Sequence, residues 1–98
     1  MAQFDVLKVT GDVLVLDCQS DLLVDLPTRF VVPLRELDRI DLPRLTPSFD
    51  IAGQRLTMIT PLARSIDKRD IVRRVASLAS HEYEIKNALD MLTSGFGF

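Results

Sequence analysis

The sequence is expected to fold as a mainly β domain, a small antiparallel barrel or sandwich capped by one C-terminal helix. Short apolar runs rich in Val, Leu, Ile and Phe, such as "VLVLDCQ", "TRFVVPL" and "RLTMIT", recur along most of the chain. Runs of this kind, bounded by turn residues, are the mark of strands. Breaks carrying glycine or proline separate them at "TGD", "AGQ", Pro27 and Pro61. Only the last stretch carries a helical stripe, and a series of strands closed by one helix fits a sheet with that helix on one face.

In order, "QFDVLKV" alternates, with Phe4 and Val6 on one face and Asp5 and Lys8 among the polar positions. The "TGD" turn at 10–12 leads straight into "VLVLDCQ", so the two runs form a hairpin. The second run is apolar at nearly every position, as in a strand covered on both faces. "SDLLVDLP" then breaks the pattern with Asp21, Asp25 and Pro27, yet it holds Leu22, Leu23 and Val24. Such a stretch inside a loop ordinarily packs on its own core; otherwise it is a contact surface. "TRFVVPL" is a third strand, and Pro33, with no N–H for a ladder, marks an edge or a strand end. "RELDRIDLPRLTP" is a long polar connection, and "SFDIAGQRLTMIT" is a hairpin around Gly53 that Pro61 closes.

The final third admits two readings. Ile71, Val75, Leu78, Ile85, Leu89 and Leu92 could line one long helix at heptad-like spacing. Alternatively, the β-branched "DIVRRVASL" is a strand ending near Leu78, and a helix runs from about Ser80 to Leu92. The second is adopted here. Ser80 suits an N-cap, Glu82 and Glu84 face the positive end of the dipole, and Glu82 stands four residues before Lys86. Ile85, Ala88, Leu89 and Leu92 then make the buried stripe, and Gly95 supplies the stop.

At 98 residues the chain has room for one core, and 1–98 is read as a single domain. A mean hydropathy of +0.17 is slightly high for so small a body and favours a homo-oligomer. The net charge of −2 leaves no basic footprint for nucleic acid. Charge is uneven: residues 1–50 hold nine acids and five bases, residues 51–98 five and seven. The bases gather in "RSIDKRDIVRR", ordinarily a solvated face. Cys18 is the only cysteine and sits in an apolar run, as a buried inert thiol would. His81 is the only histidine, so neither a metal cluster nor a nucleophile with its base is in view. The N-terminus has no basic, apolar leader and no span, so a cytoplasmic protein is expected.

Two stretches are more specific. "DCQSDLLVDLPTRFVVPL" (Asp17 to Leu34) and "LASHEYEIKNALDML" (Leu78 to Leu92) resemble the CcdB family of bacterial toxins. That family carries Asp-Val-Gln-Ser-Asp-Ile-Ile, then Pro and a Val-Ile-Pro-Leu strand; here stand "DCQSDLL", Pro27 and "VVPL". Its Ile-Lys-Asn-Ala-Ile run is matched by Ile85, Lys86, Asn87, Ala88 and Leu89, and "MIT" at 58–60 fits the strand between. The resemblance implies an SH3-like barrel of the CcdB/MazF type, an antiparallel sheet capped by one long helix, and a homodimer. It implies a toxin that traps DNA gyrase in its cleaved complex with DNA and is neutralised by a CcdA-like antitoxin. Such a toxin makes or breaks no bond and needs no cofactor. Plasmid maintenance and transcription regulation come with the family, DNA being met only indirectly through the antitoxin complex.

The resemblance also assigns contacts to the gyrase A subunit. Leu22 and Leu23 take the place of a paired Ile-Ile, and Asp90 that of a helix Asn. Phe96, Gly97 and Phe98 take the place of a Trp-Gly-Ile end whose Trp stacks on arginine, provided two residues are inserted after the helix. Without that insertion, Ser94 and Gly95 align there and the aromatic is lost. The terminal "GFGF" has a plainer reading: it packs against the dimer interface, each buried Phe contributing up to roughly 1.5–3 kcal/mol. Two other functions compete. An endoribonuclease on the same barrel would want basic residues beside the first long loop, where "SDLLVDLPTR" offers only Arg29. A non-toxic relative would keep antitoxin binding and operon regulation after losing gyrase.

Overall fold

The computed structural model describes residues 2–37 and 42–95. Within them lie seven strands: β1 (Asp5–Val9), β2 (Val13–Asp17), β3 (Thr28–Arg35), β4 (Ser48–Ile51), β5 (Gln54–Met58), β6 (Arg64–Asp67) and β7 (Ile71–Ser77). One α-helix follows, α1 (Glu82–Ser94). The strands form one curled antiparallel sheet in the order β4-β5-β3-β2-β1-β7, with β6 also paired to β3. The architecture is that of a half-barrel with a single C-terminal helix.

β3 is the hub, so Pro33 marks no edge strand, although it does stand two residues before the strand's end at Arg35. The strand has neighbours on both sides: β2 takes Val31–Leu34 on one, while β6 takes Thr28–Val31 and β5 takes Leu34–Arg35 on the other. Pro33 falls in the gap between β6 and β5, and its carbonyl accepts the Ile59 N–H at 2.9 Å on that side. A strand residue's nitrogen and carbonyl point the same way, so the missing N–H faces a break in the ladder. An interior strand therefore tolerates the proline.

The turns follow the chemistry of their residues. Ala52 and Gly53 both have positive φ, 51° and 81°, and join β4 to β5 with Ile51 opposite Gln54. That is the type I′ geometry, whose twist matches the strands it connects. Gly11 and Asp12, at 92° and 63°, turn β1 into β2.

Both faces of the central strands are covered, as the apolar run in β2 leads one to expect. On one face Val6, Leu16, Val32 and Leu34 meet Phe49, Ile51, Leu56 and Met58 from the β4–β5 hairpin, and Ile85 and Ala88 from α1. On the other, Leu7, Val9, Val15 and Val31 pack together under Ile66 and Ile71. β6 and β7 come from the basic run; its side chains Arg64, Arg69, Arg73 and Arg74 are exposed, so the solvated-face reading holds.

The strand-then-helix reading of the last third is correct, with one change at the boundary. Ser80 is not the N-cap. A short 3-10 turn (Ala79–His81) comes first, and His81 occupies the cap position without a side-chain hydrogen bond to the helix backbone. Lys86 does pair with Glu82 at 2.6 Å. Gly95 ends the helix at φ 76°, its N–H reaching the Met91 carbonyl at 3.0 Å. The buried stripe is Ile85, Ala88 and Met91, whereas Leu92 is 43% exposed.

Candidate functional site

The loop between β2 and β3 overturns the expectation that its apolar residues pack inward. Leu22 is 94% exposed, Leu23 49%, Val24 44% and Leu26 45%. Four apolar side chains held in water within five residues form a patch that calls for a partner. The backbone beneath them is nevertheless ordered. Asp21–Leu23 forms a 3-10 turn capped by Ser20, whose Oγ accepts the Leu22 N–H at 3.2 Å. The Asp21 carboxylate accepts the Gln3 N–H at 2.8 Å, and Lys68 Nζ donates to the Val24 carbonyl. Gln19 is buried: its Nε2 donates to the Leu23 carbonyl at 2.9 Å and its Oε1 accepts the Phe30 N–H at 2.9 Å.

Beneath this loop lies an ion pair with no exposure on either side chain. Arg29 Nη2 and Nε both donate to Asp17 Oδ2, at 2.6 and 3.0 Å. Asp17 Oδ1 accepts the Gln19 N–H at 3.1 Å. Burial pushes the Asp17 carboxyl above its ordinary value, against the pull of the Arg29 and Gln19 hydrogen bonds. Asp5, expected among the polar positions, is also buried and pairs with Arg74 at 3.1 Å. Cys18 lies between Asp17 and Gln19; its thiol is buried and pushed up to about 12, mainly by desolvation. It is the inert thiol that its setting suggests.

The family model for CcdB protein matches residues 3–95. The chain belongs to the CcdB family. It is accordingly a toxin of a toxin–antitoxin system, and the sequence resemblance to CcdB is borne out across almost its whole length. Among solved structures, the Mycobacterium tuberculosis toxin MazF-mt6 superposes with a TM-score of 0.74 at 18% identity, covering 88% of this chain and 92% of that one. At that identity the likeness speaks for the fold, and it supports the CcdB/MazF type of barrel. No curated protein matches the sequence.

Of the contact residues that the CcdB resemblance assigns, Leu22 and Leu23 stand out on the β2–β3 loop. Asp90 is exposed on α1. No hydrogen bond or ion pair among the described residues joins that loop to α1, which packs instead against Thr60–Leu62. Phe96, Gly97 and Phe98 lie outside the described residues. The His81 ring packs on Phe49 at a 4.9 Å centroid distance, tilted by 56°, and meets Glu84 at 3.0 Å, the setting of a structural histidine. Among the described residues no group of His, Cys, Asp or Glu could hold a metal, and no helix is long and apolar enough to cross a membrane.

Sequence reasoning passed over Asp17, Gln19 and Arg29 as working parts. Asp17 and Gln19 flank the cysteine of an apolar run, and Arg29 appeared only as a lone cation. The available signal was polar residues where a two-face-buried strand leaves no water for them. Such residues must find each other.

Proposed function

We propose that the protein poisons DNA gyrase: as a homodimer it binds the gyrase A subunit and traps the gyrase–DNA cleavage complex, and a CcdA-like antitoxin neutralises it. The observation that carries this reading is the display of Leu22 and Leu23, the residues standing where the CcdB family has its paired isoleucines, on a braced backbone. A contact surface of this kind works by binding, without chemistry. Asp90 on α1 and the Phe96–Phe98 end complete the proposed surface. The competing ribonuclease would need a cation for the scissile phosphate. Arg29, the only one the loop offers, is buried and committed to Asp17, which favours the binding reading.

The experiment is a cleavage assay with purified gyrase, supercoiled plasmid and the protein, run beside a single-stranded RNA substrate. Linear DNA should accumulate after denaturation of the complex while the RNA stays intact. RNA cut in the absence of gyrase would replace this reading with the nuclease. Antitoxin binding with neither activity would replace it with the regulatory relative. Within the proposal Phe96 supplies the stacking aromatic, so Phe96→Ala should weaken gyrase binding about tenfold. Its melting temperature should stay close to the parent's, because the proposal makes this side chain a partner contact and gives it no place in the core.

A further inference from the structure

We propose that Gln19 is the positioning residue of the recognition loop: through the Leu23 carbonyl it fixes how Leu22 and Leu23 are presented. The proposal rests on reading that loop as the partner contact. Its physical basis is the way one buried amide is used at both ends. Oε1 takes the Phe30 N–H at 2.9 Å, on β3, and Nε2 gives its proton to the Leu23 carbonyl at 2.9 Å. Reversing the amide would set donor against donor and acceptor against acceptor, so only one orientation is satisfied. The residue's own N–H is held by Asp17 Oδ1 at 3.1 Å. Asp17 is in turn fixed by two hydrogen bonds from Arg29 to its other oxygen. A rigid string thus runs from the buried pair through Gln19 to the carbonyl at the centre of the loop.

The loop's other ties are placed differently. At the loop's ends Gln3 Nε2 donates to the Cys18 carbonyl at 3.1 Å and the Lys68 N–H to the Pro27 carbonyl at 3.1 Å. Nearer its middle, Asp21 to the Gln3 N–H and Lys68 Nζ to the Val24 carbonyl are exposed bonds. Water competes for them, and each contributes little net. Gln19 is 7% exposed, so losing its side chain takes from the Phe30 N–H its acceptor and from the Leu23 carbonyl one of its two donors, at a place where Gln19 itself keeps water out. The Leu23 carbonyl also accepts the Leu26 N–H at 3.2 Å, so its position governs both ends of the apolar stretch.

The test uses the full chain with Gln19→Met, which keeps the volume and loses both hydrogen bonds. Gln19→Asn serves beside it, keeping the amide but shortening its reach, should the first variant fold poorly. Lys68→Met is the comparison for an exposed tie. In the free protein, amide exchange at Leu22, Leu23 and Leu26 should quicken at least about tenfold in the Gln19 variants, with β1 and β2 amides unchanged and Lys68→Met near the parent. Affinity for the gyrase A subunit should fall about tenfold, and in a Leu22→Ala background the loss should shrink to about threefold or less. Unchanged loop exchange would overturn the proposal. So would exchange that quickens equally throughout the sheet, or an equal affinity loss in both backgrounds, each of which marks a general stabiliser. If the parent does not bind gyrase at all, the proposed function falls, and the exchange comparison alone decides whether Gln19 positions the loop.

Discussion

Arg29 and Asp17 place two opposite charges where neither touches solvent. Removing one partner leaves the other charged and dry, so Arg29→Ala should destabilise the fold by about 3–5 kcal/mol in denaturant titrations. Arg29→Met combined with Asp17→Leu should recover much of that loss, because a pair of apolar residues avoids the desolvation cost. A single variant as stable as the parent would mean that the pair is hydrated in solution. The sequence signals only that Asp17, at the end of a run buried on both faces, needs a partner; it does not say which. The two residues are twelve apart and meet only because β2 and β3 pair in a register that sets Asp17 opposite Val31. Cys18, by contrast, was read correctly, since its local apolar run is enough to bury it.

Local chemistry fixes some elements and leaves others to their neighbours. The β4–β5 hairpin was legible because a glycine at its tip permits only a few turns, and the type I′ pair Ala52–Gly53 is one of them. This turn makes a two-signed prediction. Gly53 has φ +81° with open space around a would-be Cβ, so Gly53→Ala pays only for backbone strain, about 1 kcal/mol. That should lower the melting temperature by about 4–8 °C. Ala52→Asn puts a residue that tolerates positive φ at 51° and should raise it. The same sign for both changes would show that the turn is not of this type. Pro33 misled as a sign of an edge because the rule against interior proline concerns a missing donor, and β3 changes partners where that donor is missing. The exposure of Leu22–Leu26 was equally hidden, since an apolar loop looks the same in sequence whether it packs inward or waits.

At the scale of the whole molecule, the architecture was legible from the order of runs and turns together with the CcdB resemblance, whereas the surface was not. Away from the β2–β3 loop, Leu62, Val72 and Leu92 are exposed at 46%, 63% and 43%. Apolar area of this extent on an 11.0 kDa chain fits the proposed homodimer. Light scattering at micromolar concentration should give twice that mass, and a monomer would remove the dimer from the account. The central claim is that the displayed leucines bind gyrase. It is tested most directly by calorimetric titration of the purified gyrase A subunit with the protein and with its Leu22→Ala, Leu23→Ala double variant. Burying each leucine is worth roughly 1.5–3 kcal/mol, so truncating both should weaken binding by at least about tenfold. The melting temperature should not move, because neither side chain belongs to the core. A double variant that binds as tightly as the parent, or a parent that gives no heat of binding, would contradict the claim.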